Sequence, residues 1–401
     1  FFKQKTAYEI DNTLRWAKRY AGTYGSSIYP TTQAMTVDNG TLYVLARNGS
    51  QYSLTLEINS STGAITGNNG LRISTLDVTG KGAAATSDGY FVEAASGGTS
   101  DNIAGINVYS QTGDLTYVKY ITYTSAYKTD AVGPKIDSDD NIYVPWGLDG
   151  NAYCFISKYN SSFAHQWTVR FRAGSYASWR DICVSSDLDA IYGTCYFNDG
   201  DHVANIIKWD RDGTKLYAKS VRYFDTGGFD RTSSVGIGRI AIGEDGYLYV
   251  SGIIGRSFTY DGYEGRPAFV LKLDPDDLSL IDHFFAGLGS SNYEFETVEA
   301  SSASEPNRIS QLMIQNRNTY DKYSFNLNGM PTGIPRTACD VKLFRASDVD
   351  PDTDIYLQNQ SVSSSIISTA TATNGSIGSA TTGTMTTYTS SPSAGCNTDL
   401  E

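Results

Sequence analysis

The sequence predicts an all-β protein, and three observations carry that expectation. Its 401 residues include 29 Tyr, 16 Phe and 39 Gly, and Ser, Thr, Asn and Asp fill the gaps between short apolar runs. Aromatic residues suit a pleated surface, and small polar ones suit tight turns. No stretch of ten or more residues holds a helical period of apolar positions. Finally, one unit recurs about every fifty residues, a period that marks a repeat architecture.

The unit opens with an apolar strand, an Asp/Gly turn and a second strand carrying an aromatic. It reads VDNGTLYV (Val37–Val44), TSDGYFV (Thr86–Val92), IDSDDNIYV (Ile136–Val144), SSDLDAIYG (Ser185–Gly193) and IGEDGYLYV (Ile242–Val250). Its aromatics Tyr43, Phe91, Tyr143, Tyr192 and Tyr249 lie 48, 52, 49 and 57 residues apart. A second marker is a strand ending in a bulky residue before a polar turn, at Ile58, Tyr109, Tyr159, Trp209, Leu273 and Phe325. Its spacings of 51, 50, 50, 64 and 52 agree with the first marker. The long interval predicts a loop insertion at Tyr223–Ser234 or Arg256–Arg266. Eight residues after the second marker, Tyr117, Trp167, Tyr217 and Ile281 open an outer strand.

Six copies at this period predict a six-bladed β-propeller over residues 11–336, with seven blades as the alternative count. The Asp-Gly and Asn-Gly pairs at Asn39, Asp88, Asp212 and Asp245 supply the positive φ that tight hairpins need. WAKRYAG (Trp16–Gly22) parallels WTVRFRAG (Trp167–Gly174), yet no blade precedes it. The strand bearing Trp16 is therefore expected to close the ring by completing the last blade, whose own copy after Phe325 is broken by Pro331 and Pro335. The sixth repeat, around Asn307–Gln315, lacks the Asp/Gly turn and the aromatic. Residues 1–10, FFKQKTAYEI, resemble the translation of a sequencing adapter, so they are set apart from the fold and the natural N-terminus is expected to lie elsewhere.

Units of this type, above all IDSDDNIYV with SKYNSSFAHQW and IGEDGYLYV with LKLDPDD, resemble the SBBP-type β-propeller repeat family. That resemblance covers about 320 residues and implies an extracellular or virion-surface propeller, since similar repeats occur in bacteriophage structural and tail appendage proteins from aquatic metagenomes. From residue 337 the composition changes. Residues 361–391 are dominated by Ser, Thr, Ala and Gly. Two readings stand: a disordered tail, or strands stabilised by pairing with other chains. The second makes 337–401 an assembly or attachment segment.

The net charge of −12 argues against a nucleic-acid partner, which needs clustered Lys and Arg. Apolar runs are strand-sized, so no helical membrane span is expected. The three histidines, His165, His202 and His283, sit in no HExxH motif and near no nucleophile elbow, so no catalytic residue is predicted and the chain reads as no enzyme. Five cysteines show no metal-ligand spacing and are expected to be scattered buried thiols, with one disulfide as the alternative, for which Cys183 with Cys195 is the best-placed pair. No cofactor is expected beyond Ca²⁺ at DVDPDTD, where Asp348, Asp350, Asp352 and Asp354 alternate as calcium loops do, though without the usual Gly and Glu. Tyr260 and Tyr263, beside Asp261 and Glu264 in the insertion, are the candidate ligand contacts, because exposed aromatics stack on sugars and anchor proteins.

These readings converge on a structural or adhesive protein of a phage particle or other extracellular assembly. Its expected partners are copies of itself, or virion or fibre proteins, through the C-terminal segment, and a surface glycan. A secreted carbohydrate-binding or carbohydrate-active propeller, and a subunit of a cell-surface fibre, stay open beside it.

Overall fold

The computed structural model describes residues 18–23, 27–28, 31–48, 52–74, 82–96, 103–111, 115–122, 129–148, 153–172, 176–198, 202–224, 230–231, 235–243, 245–254, 258–260, 263–265, 268–288, 293–300, 308–316, 319–326, 341–345, 355–366, 373–374, 377–381, 384–389 and 399–400. Every regular element among them is a β-strand. The chain divides into two compact units, one of residues 10–171 and 365–393, the other of residues 1–9, 172–364 and 394–401.

The first unit holds three antiparallel sheets built from consecutive chain. The first sheet is Thr31–Asp38, Thr41–Asn48, Tyr52–Asn59 and Ile65–Ser74. The second is Ala83–Ala85, Phe91–Ser96, Ile103–Tyr109 and Leu115–Thr122. In the third, Thr129–Ala131 and Lys135–Ile136 share the edge of Ile142–Leu148, followed by Tyr153–Tyr159 and His165–Arg172. The second unit repeats the plan. Its fourth sheet is Tyr176–Ser185, Ala190–Asn198, His202–Asp210 and Lys215–Phe224, and its fifth is Val235–Ile242, Leu248–Ile254, Ala268–Leu273 and Leu280–Leu288. The sixth, Tyr293–Ala300, Arg308–Asn316 and Thr319–Asn326, forms without an Asp/Gly turn and carries Asp399–Leu400 in parallel on its last strand.

Side chains alternate across a strand, so a sheet with neighbours on both faces must be apolar on both. The second sheet shows this directly. Phe91 and Ala95 of one strand enter a core with Leu45 of the first sheet, while Val92 and Ala94 of the same strand enter a core with Ile142, Val144, Trp146 and Phe155 of the third. Between the fourth and fifth sheets a further core joins Tyr192, Ile206 and Val221 to Ile237, Val250 and Phe269. The sequence markers fall where this packing needs bulk. Phe91, Tyr143, Tyr192, Tyr109, Tyr159 and Trp209 are all at most 1% exposed, and burying a side chain of that size contributes about 1.5–3 kcal/mol. By contrast Tyr117, Tyr217 and Ile281, at the mouths of the outer strands, are exposed.

The turns follow the expected chemistry. Asn39 and Gly40, Gly89, Gly213 and Gly246 all have positive φ. Asx residues head several of these turns and accept backbone N–H groups, as Asp137 does from Asp139 and Asn141, and Asp210 from Asp212 and Thr214.

Beyond the sixth sheet the chain adds one strand to each earlier sheet in descending order. Val341–Arg345 pairs with Leu280–Leu288 of the fifth sheet and Ile355–Asn359 with Lys215–Phe224 of the fourth, both antiparallel. Ser363–Ile366 joins the outer strand of the third sheet, Thr373–Asn374 that of the second and Ile377–Thr381 that of the first. Strands therefore form in 361–391, and their partners are this chain's own outer strands.

One expectation changes, and the alternative disulfide does not form. Trp16 lies outside the described residues, but the strand beside it, Lys18–Thr23, pairs with Ser27–Ile28 and Thr384–Thr389. It does not pair with the segment near Phe325, whose strand is bonded to Arg308–Asn316 and Asp399–Leu400. The physical reason is that the last C-terminal strand takes the edge that was to close the sheet. Cys183 and Cys195 do sit on adjacent strands, but Cys183 lies opposite Tyr192 and Cys195 opposite Trp179. The register sets each against another residue, so neither is in a disulfide, nor is the buried Cys154, in keeping with scattered thiols.

Candidate functional site

The residues singled out from sequence do not come together in the described structure. The insertion between Leu248–Ile254 and Ala268–Leu273 folds as its own hairpin, with Tyr260 opposite Tyr263 and Glu264 opposite Thr259. Asp261 and the side chains of that hairpin lie outside the described residues, as do Asp348, Asp350, Asp352 and Asp354. Among the described residues no cluster of His, Cys, Asp and Glu could hold a metal ion.

A different constellation emerges in the second unit, where the first strands of the fourth and fifth sheets lie side by side. Both strands are interrupted by a β-bulge. In the fourth sheet the register slips between Trp179 and Asp181, and in the fifth between Ile237 and Ile240. An arginine stands at each, Arg180 and Arg239. Bulges re-aim a side chain out of the ladder and gather near functional sites.

The bulges are held by side chains rather than by pairing. Thr194 Oγ1 donates to the Gly238 carbonyl at 2.8 Å, and Ser251 Oγ accepts the Arg239 N–H at 3.1 Å. Tyr196 reaches from the fourth sheet to accept the Ile237 N–H at 2.6 Å. Space for that hydroxyl comes from Gly236, where a Cβ would lie 3.0 Å from the Tyr196 oxygen and 2.6 Å from Ile253 Cγ1. Asp181 is buried, accepts the Ile240 N–H at 3.3 Å and lies 3.8 Å from Arg239 Nη1. The Arg180 guanidinium sits 4.6 Å over the Tyr196 ring. Among the described residues Arg180 makes no ion pair, and its side chain is exposed.

Chemically this is a surface with two guanidinium groups and one buried carboxylate. Planar guanidinium forks bind carboxylate, sulfate and phosphate through paired N–H bonds, and stacking on Tyr196 leaves the edge of Arg180 free for that work. Sequence reasoning passed over both arginines. The available signal was a single Arg inside an apolar strand, in SWRDIC (Ser178–Cys183) and IGRIAI (Ile237–Ile242).

His165 takes a structural place. The Trp146 Nε1–H donates to Ser157 Oγ at 2.8 Å, the Ser157 and Thr168 hydroxyls share a hydrogen bond at 2.9 Å, and Thr168 Oγ1 lies 2.9 Å from His165 Nε2. Burial lowers the His165 pKa, against a smaller opposing effect of a backbone hydrogen bond at Trp167.

No family model matches the chain, and no curated protein matches it. Solved structures similar to it include a europium-containing methanol dehydrogenase, at 12% identity and TM-score 0.36 over 76% of this chain and 68% of that one. A luciferin-regenerating enzyme is similar at 13% identity and TM-score 0.37, over 75% of this chain and 88% of that one. A GH43 beta-1,3-galactosidase solved with galactodeoxynojirimycin is similar at 11% identity and TM-score 0.34, over 65% of this chain and 95% of that one. At these TM-scores the likeness carries no activity over to this chain. It does correct the expectation that the chain is no enzyme, because all three are enzymes by name. The physical reason is that carboxylates or cofactor ligands brought together from loops of different sheets leave no local motif, so a missing HExxH or nucleophile elbow is no ground for excluding catalysis.

Proposed function

We propose that the six sheets are the blades of one six-bladed β-propeller, and that the chain is a structural or adhesive subunit of a phage particle or comparable extracellular assembly. The ligand-facing surface is the arginine junction, and the ligand is a glycan or protein bearing carboxylate or sulfate groups. The observation that carries the recognition half is the exposed Arg180 on a bulge, stacked on Tyr196. The repeat resemblance supports the assembly half.

The test is binding of the full chain to immobilised uronate-containing and sulfated glycans, with product release scored in parallel. Wild-type protein is expected to bind them above neutral glycans, and R180A/R239A to lose about tenfold or more in affinity, since a charge-assisted hydrogen bond is worth about 1.5–3 kcal/mol. Equal binding of the variant would overturn the assignment of the site. Class averages of the isolated protein with a blade count other than six would overturn the propeller reading.

A further inference from the structure

We infer that the junction of the second and third sheets carries a second binding site, which takes an uncharged pyranose whose ring lies flat against Tyr117. This goes beyond the proposed function, because the residues belong to the first unit and the ligand carries no charge. Three aromatic rings meet there from three segments of chain. Phe163, in the turn before His165–Arg172, lies edge-on to Tyr90 at 5.5 Å and tilted against Tyr117 of Leu115–Thr122 at 5.2 Å between ring centroids. Tyr90 is half-buried, Phe163 is 5% exposed and Tyr117 is 40% exposed. The two inner rings therefore hold an outer one that faces solvent.

Phe163 has a φ of 60°, a region that a bulky side chain seldom enters. Gly63 and Gly213 fill the same step in the first and fourth sheets, each two residues before its outer strand. In the fifth sheet Leu278 takes that step and is wholly buried in a core. Phe163 also enters a core, but it touches the exposed Tyr117 as well.

The fourth sheet supplies a matched position without the platform. Tyr217 lies opposite Lys208 as Tyr117 lies opposite Val108, each one residue before a bulky marker, and Tyr217 is 45% exposed. A lysine follows two residues later in both, at Lys119 and Lys219. The register puts Ala190 at the step of Tyr90, and the next sheet brings Leu278 in place of Phe163. Among the described residues Tyr217 has no aromatic contact.

The chemistry of the platform selects the ligand. A pyranose with equatorial hydroxyls turns axial C–H groups to its faces and hydroxyls to its rim, so it can stack on a ring and hydrogen-bond around it. The Tyr90 and Tyr117 hydroxyls make no hydrogen bond among the described residues, and each can donate or accept. Lys119 Nζ stands 5.8 Å from the Tyr117 ring centroid, within reach of the same rim. A wholly apolar ligand would use none of these polar groups. An anion would find one ammonium here, where the arginine junction offers two guanidinium groups.

Saturation-transfer NMR on the full chain with methyl β-glucopyranoside tests this. Transfer is expected to be strongest at the axial protons of one ring face, and affinity to stay unchanged between about 0.05 and 0.5 M NaCl, because a neutral ligand is not screened. Y117A is expected to lose about tenfold in affinity with an unchanged melting temperature, while Y117F keeps the face-selective transfer. Y217A, which removes an equally exposed ring in the same register, is expected to bind like wild type. Even transfer to every ring proton, equal losses in Y117A and Y217A, or binding of indole in place of the glucoside would each overturn the inference. Failure to bind the glucoside with uronate and sulfate binding intact would sink this inference alone.

Discussion

The sheets of residues 31–326 and the strands of 341–389 are both β structure, yet they are held by different forces. In the sheets, large aromatic and aliphatic side chains enter cores on both faces, and side-chain pairs tie strands together, as at the half-buried Asp245, which accepts from Tyr249 at 2.7 Å and Lys272 at 2.9 Å. The C-terminal strands instead hold by backbone ladders to the outer strands and by hydrogen bonds to carbonyls, from the Gln360 N–H to Ala218, from Lys215 Nζ to Val362 and from Ser363 Oγ to Arg172. Among their described side chains Val362 alone is buried. The difference teaches that a strand can be specified by an available edge, with little apolar burial of its own.

Substitutions measure that contrast. Trp146 is fully buried and stacks on Phe155 at 3.9 Å between ring centroids, so W146A is expected to lose about 3–5 kcal/mol in urea unfolding. A loss under 1 kcal/mol would mean the two-sided core is not what stabilises the sheets. D245A is expected to cost about 3 kcal/mol, because it leaves the half-buried Lys272 ammonium without its carboxylate. In D245A/K272M most of that loss should return, and a double variant as unstable as D245A would refute the ion-pair account.

On the C-terminal side, V362A is expected to cost only about 1–2 kcal/mol, the worth of the methyl groups removed. A cost matching W146A would erase the distinction between the two regions. The smallest effect expected is a pH dependence. Burial lowers the folded pKa of His165 below its ordinary 6.5, so the unfolded chain takes up a proton first as pH falls. The contribution of His165 to stability is therefore present above about pH 6.5 and lost as pH drops through the lower folded value. H165Q should flatten that part of the stability profile, and an unchanged slope between pH 7 and 5 would assign it to other groups.

Much of the architecture was legible in the chain. The first marker recurs at Phe91, Tyr143 and Tyr192, which the structure buries, because a residue buried on a two-sided sheet must be bulky at the same step of every repeat. The Asp-Gly turns were legible because positive φ has few residue solutions. The site was less so. Arg180 and Arg239 are unremarkable singly and become a constellation only when two bulges fall side by side, and a bulge is a property of register between strands. Cys183 and Cys195 illustrate the same limit, since a spacing of twelve residues across a hairpin says nothing of which residues face each other.

Local chemistry alone therefore determined the strand type, the fifty-residue period and the residues of the core, because turn conformation and side-chain alternation act over a few positions. Only the tertiary structure decided where Lys18–Thr23 pairs and which edges the C-terminal strands occupy. Backbone hydrogen bonds are the same for every residue type, so an uncharged Ser/Thr strand carries little information about its partner until the edges that will accept it have formed.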